Sequence, residues 1–323
     1  MVIFRTGAAA GQGFGRLSRC AYLASLLKKG AGVHFLIDPD KPAIKFLQEK
    51  NLPFTLVDRF KDLDDRASRG IIFDLYNFAS HDQDLLDWAG QKGIGTVQVA
   101  GRMGERLKTD FTVNPAIVPG LSGQDQGNLL SGPDYAILHH KYRHFHQVKR
   151  KYRQKVRYLL LVLAHAGGYR ACRQVIDTLI RQGFRLKVAP GFIPRALNPK
   201  ILRRIYPGLR FVGRVESLAR SFFEADAALI TPGVAAYEAA AAGTPALYFS
   251  SSQEEEADAE TLAGAGLGIK ASSFSALDET ELVAKVRALS WEQRLAMGAR
   301  GKELVDGKGA LRLIEFLRTR NLL

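Results

Sequence analysis

Short apolar runs of strand length alternate with segments that repeat apolar residues at helical spacing, almost from one end of the chain to the other. Val2–Phe4, Val33–Ile37, Phe54–Val57, Gly70–Asp74 and Thr96–Val99 read as strands. Helices are predicted between them over Leu17–Lys29, Ala43–Asn51 and Gln83–Lys92. Strands that are apolar on both faces and separated by helices fit a parallel sheet covered on both sides. A second series predicts strands at Arg157–Ala164, Arg185–Ala189, Arg210–Gly213, Ala227–Ile230 and Pro245–Phe249. Its helices are predicted over Cys172–Gln182, Lys200–Tyr206, Val234–Ala242, Glu279–Leu289, Trp291–Leu304 and Gly309–Arg320. With 323 residues, 46% of them hydrophobic, the chain is long enough for two α/β domains, each with its own core.

The two series are joined by His139–Arg153, which is polar and basic and lacks a clear apolar period. It reads as an exposed domain connection. His144 and His146 lie close together there, but without cysteine or carboxylate company they make a poor metal cage, and no metal or other cofactor is expected. Cys20 and Cys172 are too few for a disulfide framework and read as reduced core residues. The longest apolar run, Tyr158–Ala164, is far short of the ~20 residues of a membrane span. The first residues lead straight into a strand without the pattern of a signal peptide, so a cytoplasmic protein is expected. The formal net charge of +14 admits nucleic acid, an anionic membrane surface or an anionic small substrate as partner, or simple solubility. Nucleic acid is disfavoured, because the basic residues are not interleaved with stacking aromatics and no reader motif is present.

Four motifs fall at predicted strand ends, where open α/β sheets bind their ligands. The first is Gly11-Gln-Gly13-Phe-Gly15-Arg16-Leu-Ser-Arg19, a glycine turn opening a helix whose free amides suit an anion. It is a partial dinucleotide fingerprint, and with Asp38 ending the second strand it keeps an NAD(P)-dependent oxidoreductase in play. A ligand-free tight turn is the alternative. The second is Thr231-Pro232-Gly233-Val234, followed by an alanine-rich helix carrying Glu238. Amides near Gly233 suit a pyrophosphate, and the Glu238 carboxylate suits ribose hydroxyls; the alternative is an ordinary helix glutamate. The third is His165-Ala-Gly167-Gly168, after the strongest strand, with His165 a phosphate partner or a structural histidine. The fourth is Asp74-Leu-Tyr76, where Asp74 reads as a general base, a sugar-hydroxyl acceptor or a helix cap.

Taken in order, these pieces resemble the nucleotide-sugar hydrolases of the pseudaminic acid pathway and the spore-coat polysaccharide proteins, relatives of the MurG-type glycosyltransferases. Gly13–Ala24 is similar to that family's Gly-x-Gly-His-x-x-Arg-Cys-x-x-Leu-Ala, Phe73–Tyr76 to its Asp-x-Tyr and Gly132–Leu138 to its Gly-x-x-Tyr-Ala-Leu-Leu. Gly167 and Gly168 stand where it has Phe-Gly-Gly, and Asp226–Pro245 and Val305–Ala310 match its nucleotide-binding and closing segments. The resemblance implies a GT-B-like fold, with two Rossmann-like domains whose parallel sheets face a central cleft. The implied division is 1–145 on the acceptor or sugar side, 146–308 holding the nucleotide, and 309–323 as a helix returning to the first domain. It also implies that Gly233 and Val234 meet the pyrophosphate of a uridine diphosphate and Glu238 the ribose. Backbone near Val215 would meet the base, and Ser252 with Gln253 would lie near the sugar, as would Gly13, Gly15, Arg19 and Tyr76 across the cleft.

Two positions depart from the pattern. Arg16 replaces the family's catalytic histidine, and Ser252 its asparagine. Arginine stays protonated and cannot act as a base, although it can neutralise phosphate, which leaves Asp74 as the candidate base. The expected partner is a UDP-sugar of surface-polysaccharide synthesis, with attack at the anomeric carbon by water in a hydrolase or by a hydroxyl in a glycosyltransferase. A basic surface suits a transferase working at an anionic membrane. A protein that binds the nucleotide sugar without turnover is the other reading. The sugar, the acceptor and the oligomeric state are not legible.

Overall fold

The structure, a computed structural model, describes residues 1–7, 15–27, 32–75, 77–100, 107–117, 127–163, 168–189, 199–213 and 215–322. The chain divides into two compact units, Met1–Leu138 with Lys308–Leu323, and His139–Gly307. Among the described residues no helix is long and apolar enough to cross a membrane.

The first unit is built on a seven-stranded parallel sheet. In chain order its strands are β1 (Val2–Thr6), β2 (Val33–Ile37), β3 (Phe54–Leu56), β4 (Gly70–Asp74), β5 (Gly95–Val99), β6 (Phe111–Asn114) and β7 (Leu129–Ser131). Their spatial order is β3-β2-β1-β4-β5-β6-β7, so the winding reverses between β1 and β4. On one face Phe4, Phe35 and Ile72 pack with Leu17, Cys20 and Leu23 of α1 (Gly15–Leu27) and with Ala43 and Leu47 of α2 (Lys41–Glu49). On the other face Ile3, Leu36, Ile71 and Phe73 pack with Leu85, Leu86 and Ala89 of α3 (Ser80–Gln91). The two lists alternate along each strand, as the two-residue side-chain period of a sheet requires.

The second unit carries a six-stranded parallel sheet of β8 (Tyr158–Val162), β9 (Arg185–Val188), β10 (Leu209–Phe211), β11 (Ala227–Ile230), β12 (Ala246–Ser250) and β13 (Gly268–Ser273). Its order is β10-β9-β8-β11-β12-β13, with the reversal between β8 and β11. Eight helices among the described residues surround it. They are α4 (His140–Gln147), α5 (Gly168–Arg181), α6 (Pro199–Ile205), α7 (Ala219–Glu224), α8 (Val234–Ala241), α9 (Gln253–Gly264), α10 (Glu279–Ala288) and α11 (Trp291–Leu304). The chain then re-enters the first unit as α12 (Gly309–Thr319), which contributes Ala310, Leu313, Ile314 and Leu317 to the core around Phe4.

Several elements depart from the sequence reading. His139–Arg153 is not an exposed irregular connection. It contains α4, whose Tyr142 is fully buried and whose Phe145 packs on Phe223 of α7. With so few apolar residues in α4, its period is invisible in sequence. Tertiary bonds hold it instead. Lys302 of α11 donates to the carbonyls of Phe145, His146 and Val148 at 2.8–3.1 Å, closing the C-terminal end of α4. The second unit consequently begins at His139, ahead of the 145/146 boundary read from sequence. Strands β6, β7 and β13 and helix α9 have no counterpart in the sequence reading. α9 is polar and stands on a Ser252 cap with Glu254, Glu255 and Glu256 in its first turn.

The basic stretch is also where part of the surplus charge is spent. Arg150 donates to the carbonyls of Phe222, Ala225 and Ala242 and to the Thr244 hydroxyl. Buried Arg294 donates to the carbonyls of Leu289, Arg153 and Gln154. Together with Lys302, these cations are held by neutral carbonyl oxygens. Burial draws Arg150 down to about 10 and lowers Arg294 and Lys302 as well.

The alanine-rich α8 is explained by its neighbour. A Cβ on Gly301 of α11 would lie 2.9 Å from both Cα and O of Ala240, so the two backbones touch. Gly301→Ala is therefore expected to destabilise the protein by about 1–3 kcal/mol. Gly90→Ala, at an exposed position in α3 with nothing within 4 Å of the new Cβ, is expected to stabilise it by about 0.5–1 kcal/mol. Urea denaturation of both variants checks this; an unchanged Gly301→Ala midpoint would show slack between α8 and α11.

Candidate functional site

The reversal points put two candidate sites at the carboxyl ends of the two sheets. In the first unit, β4 ends on Asp74, whose side chain is fully buried. Arg19, one turn into α1, binds it with both arms, Nε to Oδ2 at 2.8 Å and Nη2 to Oδ1 at 2.6 Å. Arg16 stands on the same side, its Nε 3.6 Å from Oδ1. The Cys20 thiol is 3.5 Å from Oδ2, and burial pushes that thiol well above its ordinary range, so it stays neutral. Two guanidiniums, those of Arg16 and Arg19, thus stand against one carboxylate. Both Asp74 oxygens are occupied, so to act as a base it would have to break a bidentate ion pair. Gly15 opens α1 with open space around it. Gly13 and Tyr76 lie outside the described residues.

On the opposite face of the same sheet is a cluster that the sequence reading did not single out. Buried Arg5 of β1 donates from Nε to Asp82 at 2.6 Å and from Nη2 to Asp38 at 2.9 Å. Its Nη2 is also 3.0 Å from Nε2 of His81, which lies 3.3 Å from Asp38 Oδ1. The other oxygen of Asp82 accepts from the amide of Ala79, closing the start of α3. The signal was present in sequence, since an arginine inside the run Val2–Thr6 must find an acid if the strand is buried. Asp38, the residue a dinucleotide ribose would need, is thus already engaged by Arg5.

In the second unit the amide of Thr231 donates to Val162 at 3.4 Å, tying the end of β11 to the end of β8. Pro232 follows, and then Gly233 at φ 129° and ψ −151°, a conformation essentially confined to glycine. Gly233 is the exposed N-cap of α8, and among the described residues no side-chain cap bond closes that helix start. The amides of Val234 and Ala235, which an α-helix cannot satisfy internally, open on the carboxyl side of the sheet. Gly168 starts α5 directly after β8, the strand paired with β11, so its backbone shares this rim. His165 and Gly167 lie outside the described residues. Ser252 and Gln253 follow the neighbouring strand β12; the Ser252 hydroxyl is used to cap α9 at the amide of Glu255, 3.2 Å away, and Gln253 is exposed. Val215 is 56% exposed in the segment between β10 and α7.

Glu238 lies on α8, half-buried by surface area yet well screened from water by the surrounding protein, and burial lifts its carboxyl to about 7. The hydroxyl of buried Tyr142 approaches it and opposes that rise. Among the described residues no three His, Cys, Asp or Glu side chains are placed to share a metal ion.

The comparisons agree with this geometry at the level of the fold. The chain is 24% identical over 233 residues to the spore coat polysaccharide biosynthesis protein SpsG of Bacillus subtilis, spanning 66% of this chain and 67% of that one. No protein-family profile matches it. Among solved structures it is similar to the glycotransferase of kitacinnamycin, with a TM-score of 0.67 and 14% identity over 100% of this chain and 98% of that one. MurG of Acinetobacter baumannii gives a TM-score of 0.65 at 14% identity, over 98% and 99% of the two chains. CalG4, the calicheamicin glycosyltransferase, gives 0.58 at 13% identity, over 98% of each chain. The fold is GT-B-like, with two α/β units each built on a parallel sheet.

The raised Glu238 carboxyl has a consequence for stability. An acid whose folded value lies above its ordinary one penalises the folded state once it must ionise, so the cost is full above about 7 and absent below the ordinary 4.5. Glu238→Gln is expected to be more stable than the parent at pH 8, with the gain shrinking below pH 7 and gone near pH 4.5. Denaturation at a series of pH values measures it; a gain independent of pH would refute the assignment.

Proposed function

We propose that this chain is an enzyme acting on a nucleotide-activated sugar, with a uridine diphosphate seated at the start of α8. The observation that carries the reading is the pairing of an uncapped helix start at Gly233 with a carboxylate, Glu238, on the same helix. Anionic oxygens of a diphosphate satisfy the amides of Val234 and Ala235, and the helix dipole favours their charge. Glu238 accepts from the ribose hydroxyls. Val215 marks the segment that meets the base, and Thr231, Pro232, Gly168, Ser252 and Gln253 surround the phosphates and sugar. His165, Gly167, Gly13 and Tyr76 complete the set on the strength of their sequence motifs.

In the reaction the bond between the anomeric carbon and the diphosphate oxygen breaks, and an oxygen of water or of an acceptor hydroxyl attacks that carbon and loses its proton. The departing diphosphate is stabilised by donors already in place, and a missing donor of that kind costs ~10²–10³ in rate. Arg16, Arg19 and Asp74 are assigned to the sugar side of the reaction on the strength of their sequence motifs and of the ion pairs they share. Similarity to SpsG, a spore coat polysaccharide biosynthesis protein, and to glycosyltransferases supports work in polysaccharide synthesis, by transfer or by hydrolysis. A cytoplasmic enzyme in contact with an anionic membrane surface fits the +14 charge. One observation favours a second reading, binding without turnover: Asp74, the base offered by the sequence, is locked to Arg19. The Arg5–Asp38 pair argues against a dinucleotide oxidoreductase.

The test is a thermal-shift comparison of UDP, GDP, CMP and NAD(P), followed by NMR of a UDP-sugar mixture with and without the protein. UDP at a hundred times its Kd is expected to add about 2.7 kcal/mol of stability. Stabilisation by NAD(P) and not by UDP overturns the reading. Release of UDP separates an enzyme from a binding protein.

A further inference from the structure

The buried tyrosine of the connecting helix is not accounted for by the nucleotide site as described. Tyr142 alone in α4 is buried, and its side chain is fully enclosed. Its hydroxyl has no partner at full hydrogen-bonding geometry. The groups that approach it are the Glu238 carboxyl of α8, the Ser217 hydroxyl and the backbone of Leu218. Ser217 and Leu218 belong to the segment after Val215 that leads into α7, and the Ser217 hydroxyl caps the Ala219 amide at 3.1 Å. One hydroxyl therefore stands between the two stretches assigned to the ribose and to the base. A buried hydroxyl short of a full bond is costly, and much of that cost is recovered when an ionised carboxylate turns to accept it.

We propose that Tyr142 is a positioning residue for the nucleotide. Its hydroxyl donates to ionised Glu238, favouring the form that accepts ribose hydroxyls, and links that carboxylate to the Ser217–Leu218 segment. This rests on the reading of Glu238 as the ribose acceptor. The surroundings allow the tyrosine that control. From α4 it is the titratable group acting on the carboxyl, and Ser217 adds an uncharged hydroxyl from the α7 side. From α11 the close contacts on α8 are made by backbone at Gly301 and Ala240, and Lys302 is spent on the carbonyls that end α4. Binding of the nucleotide and loss of the Glu238 proton are then linked: affinity falls as pH falls through neutrality, and removing the tyrosine hydroxyl moves that fall to higher pH.

The experiment has a ligand-free arm and a UDP arm. In the first, the pH at which Glu238 ionises is read from the stability difference between parent and Glu238→Gln, and again on a Tyr142→Phe background. The midpoint is expected to rise in Tyr142→Phe; an unmoved midpoint overturns the inference whether or not any nucleotide binds. In the second, Kd for UDP is measured by calorimetry from pH 6 to pH 9. Tyr142→Phe is expected to bind roughly tenfold more weakly at pH 7 and to approach the parent at pH 9, because deprotonation restores the acceptor. A uniform loss at every pH means that the tyrosine only packs, and overturns the inference. UDP binding by the parent that Glu238→Gln leaves unchanged overturns the ribose assignment instead.

Discussion

Both units obey one constraint: a parallel sheet wound outward in two directions from a central strand. At β1 against β4, and at β8 against β11, consecutive crossovers leave on opposite sides of the sheet, and the backbone at the carboxyl ends is exposed between them. The two units treat that opening differently. In the first, Arg5, Asp38, Asp82, Arg19 and Asp74 saturate the strand ends with internal ion pairs. In the second, the strand end runs into Thr231, Pro232 and a bare Gly233, and the helix start keeps its donors. An anion has more to gain at the second rim, where among the described residues no side-chain cap closes the helix start.

The glycine turn depends on packing deeper in the same unit. α8 can lie against α11 because Gly301 has no side chain and Ala240 has little, and that contact fixes the axis along which Gly233 and Glu238 are presented. The connecting segment is fastened to the same region by Arg150, Tyr152 and Lys302, each donating to main-chain carbonyls. Arg150 and Lys302 give neutral oxygens the strong hydrogen bonds that cations make, at the cost of burying charge.

Most of the architecture was legible because the central strands are apolar on both faces and stand apart from the helices. What escaped was held by long-range bonds. α4 offers one enclosed tyrosine and depends on Lys302, about 160 positions away, for its end; α9 is a polar helix with a serine cap. The nucleotide half of the candidate site was visible as a local pattern, Thr231 to Glu238. The state of Asp74 was not, because Arg19, its partner, lies 55 residues away and one guanidinium at a helix start looks like any other. Tyr142 was hidden for the same reason: its meaning comes from a carboxylate on another helix.

The order of the chain carries a last consequence. The second unit, His139–Gly307, is continuous, whereas the first is interrupted by it and regains Leu313, Ile314 and Leu317 only at the end. During synthesis from the N-terminus the inserted unit can finish its core while the earlier one still lacks a helix. Until α12 arrives, the apolar surface around Phe4, Leu17 and Phe35 on the α1 face of its sheet is short of its cover. Of the two units, the one begun earlier is thus the one closed later, and in the interval its uncovered apolar surface is open to aggregation and proteolysis.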